Sequence, residues 1–395
     1  MSGKAEHKRL LFVNNNMEVG GVQKSLANLL ACIHNDYEID VLLFCKKGSL
    51  LDDIPDDVHI LECESLFRYF GFSQGEAMSM KEGIVRGALA MMCRLFGREK
   101  LYKLFLKSQR VLPVEYDCSI SYLHDGRPSS LYGGVNEFVL RCTRASRKVA
   151  FLHCDYKRAG GNYPENNRRY GEFNAIAACS RGCRDSFVEV VPSLENRCQV
   201  VPNCHNYDAI KRLSMANPFS YREDSFNILY IGRLAHEKGV ERAIAAISFV
   251  KSKGINATLH LVGDGGMRVK LEELALKVGL QDQVVFHGEQ SNPYRFMSNA
   301  DCLIITSYHE AAPLVIDEAS FVGLPVLTVA TTSSNEMVAK RHCGWVCENS
   351  QEGINDMLLS LLQQPEIIAE TKKCISQLAF NNIEAVSAFA TLVDE

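Results

Sequence analysis

No apolar run in this chain approaches the about 20 residues that a membrane-spanning helix needs. Met1 to Arg9 is polar and holds no apolar signal region, so the expected location is cytoplasmic. There is also no long run of charge of one sign, which argues against a disordered acidic or basic tail. The net charge of −4 gives no global signature of nucleic-acid binding. The 15 cysteines are odd in number and scattered without a framework, many in apolar surroundings such as Cys45 and Cys302. That pattern fits buried thiols in a reducing compartment better than disulfides. Cys179 and Cys183, and Cys343 and Cys347 beside His342, are spaced more widely than the usual zinc-ligand pairs, and no metal site is assigned.

What is present is an alternation of apolar strands and helical patterns, in a chain whose 395 residues favour two domains or more. Leu10–Asn14, Ile39–Cys45, Val58–Leu61, Asp117–Leu123, Lys148–Leu152 and Ala175–Cys179 read as strands of a parallel, doubly wound sheet. Residues 206–224 are polar and strand-poor and read as a linker. A second sheet then starts at Phe226–Ile231 and continues through Thr258–Val262, Val284–Phe286, Cys302–Ile305 and Val326–Val329.

The chain is organised around Cys302–Ala319. The apolar run Cys302–Ile305 reads as a buried strand, and a helix follows through Leu314, Ile316 and Glu318. Glu310 then falls in the loop at the strand's C-terminal end, with Glu318 inside the helix. That edge is where open α/β sheets bind ligands, and the helix start at Leu314 and Val315 is an anion site by its outward N–H groups. Arg233 and Lys238 stand in another strand-to-helix loop, beside glycines, where two cations suit a diphosphate. Gly20 and Gly21 separate a strand from a helix, the layout that lets backbone approach a phosphate, although a tight turn explains them equally well.

Between residues 65 and 112 the pattern changes. Lys81, Arg86, Arg94, Arg98, Lys100, Lys103, Lys107 and Arg110 interleave with apolar residues, and Glu82 and Glu99 are the only acids from Lys81 to Arg110. The plain reading is a helix pair packed on the domain with its basic face in water. The sharper reading is docking on an anionic membrane surface.

Several strings together resemble one family. Glu310 and Glu318 form an E-x7-E pair, continued by Glu318-Ala319 and Gly323-Leu324-Pro325-Val326, and this resembles the signature of retaining glycosyltransferases of family 4 (glycosyl transferases group 1). Gly232-Arg233-Leu234 with Glu237-Lys238-Gly239 is similar to that family's "GRL-x-x-EKG", and Val262-Gly263-Asp264-Gly265 to its "V-G-D-G". Val284–Gly288, containing His287, is similar to its "V-x-F-x-G", and Phe151–Tyr156, containing His153, to its "W-x-H-x-D". Gly20, Gly21 and Leu26 match "GG-x-x-x-x-L". One departure stands out: Ala311 and Ala312 occupy positions where the family has Gly and an aromatic residue.

The resemblance implies an α/β protein of the GT-B fold, two Rossmann-like doubly wound domains facing across a cleft. The expected organisation is an acceptor-side domain over 1–205 with the basic insert at 65–112, the linker at 206–224, a nucleotide-sugar-binding domain over 225–376, and a helix in 377–395 crossing back to the first domain. It implies transfer of a sugar from a nucleotide-diphosphate sugar, UDP rather than GDP, to an acceptor glycan or lipid-linked saccharide in cell-surface polysaccharide or glycolipid synthesis. Glu310 would orient the sugar, His153 would contact it, Arg233, Lys238 and the Leu314–Val315 helix start would hold the diphosphate, and Glu318 the ribose. Gly20, Gly21, Gly263 and His287 would line the donor site. No cofactor or metal is expected, since no D-x-D pair stands in a suitable loop. The alternatives are a catalytically silent nucleotide-sugar binder and a GT-B epimerase or phosphorylase.

Overall fold

The computed structural model describes residues 7–63, 66–72, 79–106 and 111–394. Two units are distinguished: one comprises Met1–Cys204 with Asn382–Glu395, the other His205–Asn381.

The first unit is built on seven parallel strands: β1 (Arg9–Asn14), β2 (Glu38–Leu43), β3 (His59–Glu62), β4 (Glu115–Ser121), β5 (Arg144–Leu152), β6 (Ala175–Ala178) and β7 (Cys198–Val200). Their order is β3-β2-β1-β4-β5-β6-β7, so the strand sequence reverses between β1 and β4. Phe12 pairs with Val41 on one side and Ile120 on the other. The central strand β1 is buried from Leu10 to Asn14, as expected of a parallel strand covered on both faces. The helix Gly21–Ile33 buries Leu26, Leu29, Leu30 and Ile33. The helix Ile383–Asp394 belongs to this unit: Phe389 stacks on Phe12 at 5.9 Å, and Lys8 pairs with Asp394 at 2.7 Å. Burying a side chain such as Phe389 contributes about 1.5–3 kcal/mol, which explains why a helix this far along the chain is held here.

The second unit carries six parallel strands: β8 (Phe226–Ile231), β9 (Ala257–Val262), β10 (Val284–Gly288), β11 (Cys302–Ile305), β12 (Val326–Val329) and β13 (Gly344–Cys347). The order is β10-β9-β8-β11-β12-β13, with the reversal between β8 and β11. Both units therefore have a Rossmann-like layout.

Two segments carry more structure than their composition indicates. The segment 206–224, read as a polar, strand-poor linker, contains a helix. Asn206 caps a helix, Tyr207–Met215, whose Ile210 is buried in the second unit's core, and Phe219 and Tyr221 pack against His260. Polar composition hid the few apolar residues at helical spacing. In the basic segment the helices Met80–Phe96 and Arg98–Leu106 form, but Arg98 does not face water. It is buried, and its guanidinium donates to Asp125 at 2.9 Å and to the carbonyls of Ser130 and Tyr132. Lys107 and Arg110 lie outside the described residues.

Candidate active site

The ligand edge of the second sheet is where its strand order reverses, between the C-terminal ends of β8 and β11. The loops after β8, β9 and β10 are laced together there by backbone bonds: Gly232 N–H to Val262, Gly263 N–H to Gly288 and Leu234 N–H to Asp264. Gly263 has φ of +133°, and a Cβ on it would sit 2.0 Å from the Gly232 carbonyl. Only glycine permits that approach. Gly239, also left-handed, lies so close to β11 that its Cβ would meet the Thr306 carbonyl at 2.4 Å.

These approaches set the spacing of the polar groups above the edge. Lys238 ends the short turn His236–Lys238, and its ammonium donates to Glu310 Oε1 at 2.7 Å. Ser307 Oγ donates to the same oxygen at 2.6 Å, while Thr332 Oγ1 donates to the Glu310 backbone carbonyl at 2.6 Å. The Lys238 and Glu310 side chains are 27% and 12% exposed, so the pair is sheltered without being sealed. Lys238, Glu310, Ser307, Gly232, Pro313 and Val315 line a small pocket. Ser307 and Thr332 escaped the sequence reading. A serine three residues before Glu310 was the available signal for the first; nothing local marks the second.

The helix Leu314–Phe321 starts beside this pocket. Its first N–H groups have no acceptor four residues back within the helix, which leaves Leu314 and Val315 at a partially positive end. Glu318 is buried, and the Tyr294 hydroxyl donates to its Oε1 at 3.4 Å. Its neighbour Asp317 pairs with Arg341 and, at 3.4 Å, with His205. Burial alone would raise the Asp317 carboxyl; His205 and Arg341 outweigh it and hold it below the usual range.

Two predicted donor residues are not drawn to the Lys238–Glu310 pair. Arg233 is largely exposed and pairs with Glu237 at 2.8 Å. The His287 ring accepts or donates to His260 at 3.1 Å and packs on Phe219 and Phe296, so its side chain is engaged in an aromatic cluster.

In the first unit, Gly20 caps and Gly21 begins the helix Gly21–Ile33. A Cβ on Gly21 would meet nothing, so no steric demand for glycine exists there. His153 follows β5 and packs on Phe151 and Tyr122 at 5.6 and 4.8 Å. Its Nε2 has no protein hydrogen-bond partner, and neither has Nδ1 of His124, which follows the adjacent β4. Burial pushes His153 down to about 3, with His124 adding to the effect, and pushes His124 down to about 4 despite Asp125. Two neutral imidazoles with unpartnered nitrogens can donate to or accept from a hydroxyl. Among the described residues no group of three or more His, Cys, Asp or Glu is arranged to hold a metal ion. No described helix is long and apolar enough to cross a membrane.

Residues 215–377 match the family model described as glycosyl transferases group 1. The lipopolysaccharide glucosyltransferase WaaG of Escherichia coli is 36% identical over 146 residues, covering 36% of this chain and 39% of that one. The lipopolysaccharide core biosynthesis glycosyltransferase LpsD of Rhizobium meliloti is 38% identical over 104 residues, covering 26% and 29%. The chain thus matches between about a quarter and two fifths of the length of these relatives. Among solved structures, Anabaena HepE in complex with UDP and glucose superposes with a TM-score of 0.66 at 18% identity, over 98% of this chain and 100% of that one.

Proposed function

We propose that this GT-B chain, whose second unit carries the glycosyl transferases group 1 domain, transfers a sugar from a nucleotide-diphosphate sugar to an acceptor hydroxyl with retention at the anomeric carbon. The observation that carries this reading is the sheltered Lys238–Glu310 pair at the reversal point of the second sheet, next to a helix start. A cation and a helix N-terminus can take up the charge that develops on a departing diphosphate. Arg233, five residues earlier in the same loop with an exposed side chain, supplies the second cation, and these groups act in place of a metal. Glu310 orients the sugar and stabilises positive character at the anomeric carbon. Glu318 holds the ribose. His153 contacts the sugar, and the glycines 20, 21 and 263 lie along the donor path.

UDP is the proposed nucleotide, supported by the UDP bound in the HepE structure. An acceptor glycan or lipid-linked saccharide of cell-surface synthesis is supported by the lipopolysaccharide relatives. Retention would follow from front-face attack of the acceptor as the donor departs. Ala311 and Ala312 favour a second reading, a nucleotide-sugar binder without turnover.

One experiment separates these readings: incubation with a panel of UDP- and GDP-sugars, with and without EDTA, reading released nucleoside diphosphate. UDP release from at least one sugar, unaffected by EDTA, is expected. Binding without release would favour the silent binder. Loss of turnover in EDTA that Mg2+ or Mn2+ restores would overturn the metal-independent assignment.

A further inference from the structure

The helix Met80–Phe96 meets the rest of the first unit through Leu89 and Cys93, its buried residues. At about 100° per residue, Met80, Ile84, Ala88, Met91 and Leu95 fall together on the opposite side. That outward side should be polar in a helix that faces only water. Instead Met80, Ile84, Met91 and Leu95 are 84%, 67%, 65% and 69% exposed. Large apolar side chains grouped this way mark a contact surface.

The surroundings of the stripe say what it contacts. By the same helical spacing Lys81 and Arg94 fall on its two borders. Lys100 is exposed on the next helix. The two acids of this region are turned to other tasks: Glu82 caps the helix through Ser79 and pairs with Arg68, and Glu99 pairs with Lys103. A cationic rim around an apolar stripe, in a chain of net charge −4, complements an anionic lipid surface. Long cationic side chains can also lay their stems along the apolar zone and keep their heads at the phosphates. Arg98, buried against Asp125, anchors the following helix to the loop after β4.

We propose that the outward face of helix Met80–Phe96 is a docking surface for an anionic lipid bilayer, with its apolar stripe entering the interface and Lys81 and Arg94 meeting the headgroups. The purpose of docking, delivery of a lipid-linked acceptor, rests on the transferase reading above; the docking itself does not.

The test is co-sedimentation of the full chain with phosphatidylcholine vesicles and with phosphatidylcholine–phosphatidylglycerol vesicles. Wild type should pellet with the anionic vesicles and less with the zwitterionic ones. Lys81→Gln and Arg94→Gln should each weaken the anionic binding roughly fivefold. Ile84→Glu/Leu95→Glu should abolish it, and Met80→Gln/Met91→Gln, a milder pair, should reduce it with an unchanged melting temperature. Wild type left in the supernatant with both vesicles would overturn the proposal, as would stripe variants that pellet like wild type. So would a dimer that the stripe variants split while no form binds vesicles, because the face would then join two copies. UDP binding by the second unit should be the same in every variant, so failure of docking and failure of the transferase reading are read separately.

Discussion

Lys238 Nζ and Glu310 Oε1 lie 2.7 Å apart although 72 positions separate them in the chain. They meet because β8 and β11, which carry their loops, are neighbours at the reversal of the second sheet. Each compensates the other's charge, and the diphosphate proposed above would compete with Glu310 for the ammonium.

Lys238→Ala should therefore lower kcat/KM strongly. A charge-assisted contact to a phosphate is worth about 1.5–3 kcal/mol. Arg233→Ala should cost less, because the Arg233 guanidinium is largely exposed and already paired with Glu237. Steady-state rates of UDP release would check both. Full activity in the double variant would remove the diphosphate assignment.

Gly263→Ala should destabilise the second unit and impair donor binding together. Its Cβ would meet the Gly232 carbonyl at 2.0 Å, and φ of +133° is strained for any L side chain. Such strain costs about 1–3 kcal/mol before the clash is counted. Gly266→Ala, where a Cβ meets nothing, should be near neutral. Thermal unfolding of the two variants is the comparison, and equal melting temperatures would contradict the packed-backbone account.

In the first unit, Arg98→Met should be far more damaging than Arg94→Met. Arg98 and Asp125 form a pair with side chains 2% and 1% exposed. Removing one partner of a buried pair costs about 3–5 kcal/mol, whereas exposed substitutions stay within about 0.5 kcal/mol. Urea unfolding midpoints would show the difference.

The first unit should also lose stability in acid, and the sign follows from its histidines. His153 is pushed down to about 3 and His124 to about 4 in the folded chain. An unfolded histidine titrates near 6.5. Between these values the unfolded chain binds protons that the folded chain refuses, so stability falls as the pH drops below about 6.5, by up to about 1.4 kcal/mol per pH unit for each histidine. Above that pH neither contributes. Unfolding midpoints at pH 7 and pH 5 should differ less in His124→Gln/His153→Gln than in wild type.

Much of this architecture was legible in the sequence because buried parallel strands are written as apolar runs: Cys302–Ile305 and Val326–Val329 form as read. The glycines of the second sheet's loops entered the reading through the family strings; the close backbone approach that demands them shows in the fold. What stayed hidden depends on partners far along the chain. Lys238 and Glu310 could be assigned to one ligand but not to each other without the strand order. Arg98 read as one more solvated cation because its partner, Asp125, sits 27 residues away in another loop. The strand β13 was missed: it is four residues long, its Gly344 packs against the Val326 backbone, and the polar Arg341 and His342 precede it.

Glu310 and Glu318 should fail differently when neutralised. Glu318 is buried within the helix beside Tyr294, and the ribose proposed for it is remote from the reacting carbon. A contact there is similar in ground and transition states, so Glu318→Gln should mainly raise the donor KM. Glu310 sits at the helix mouth, held by Lys238 and Ser307, where the transferred sugar would lie. Its carboxylate opposes positive character that grows as the donor bond breaks, so Glu310→Gln should mainly lower kcat. The Lys238 pairing adds a second expectation. Glu310→Gln releases the ammonium from its partner, so nucleotide affinity should hold or rise while turnover falls. Initial rates at saturating acceptor with donor varied, together with UDP titration, measure all three quantities. If both variants lose the same parameter, or if Glu310→Gln changes KM alone, the division of roles between the two carboxylates is wrong.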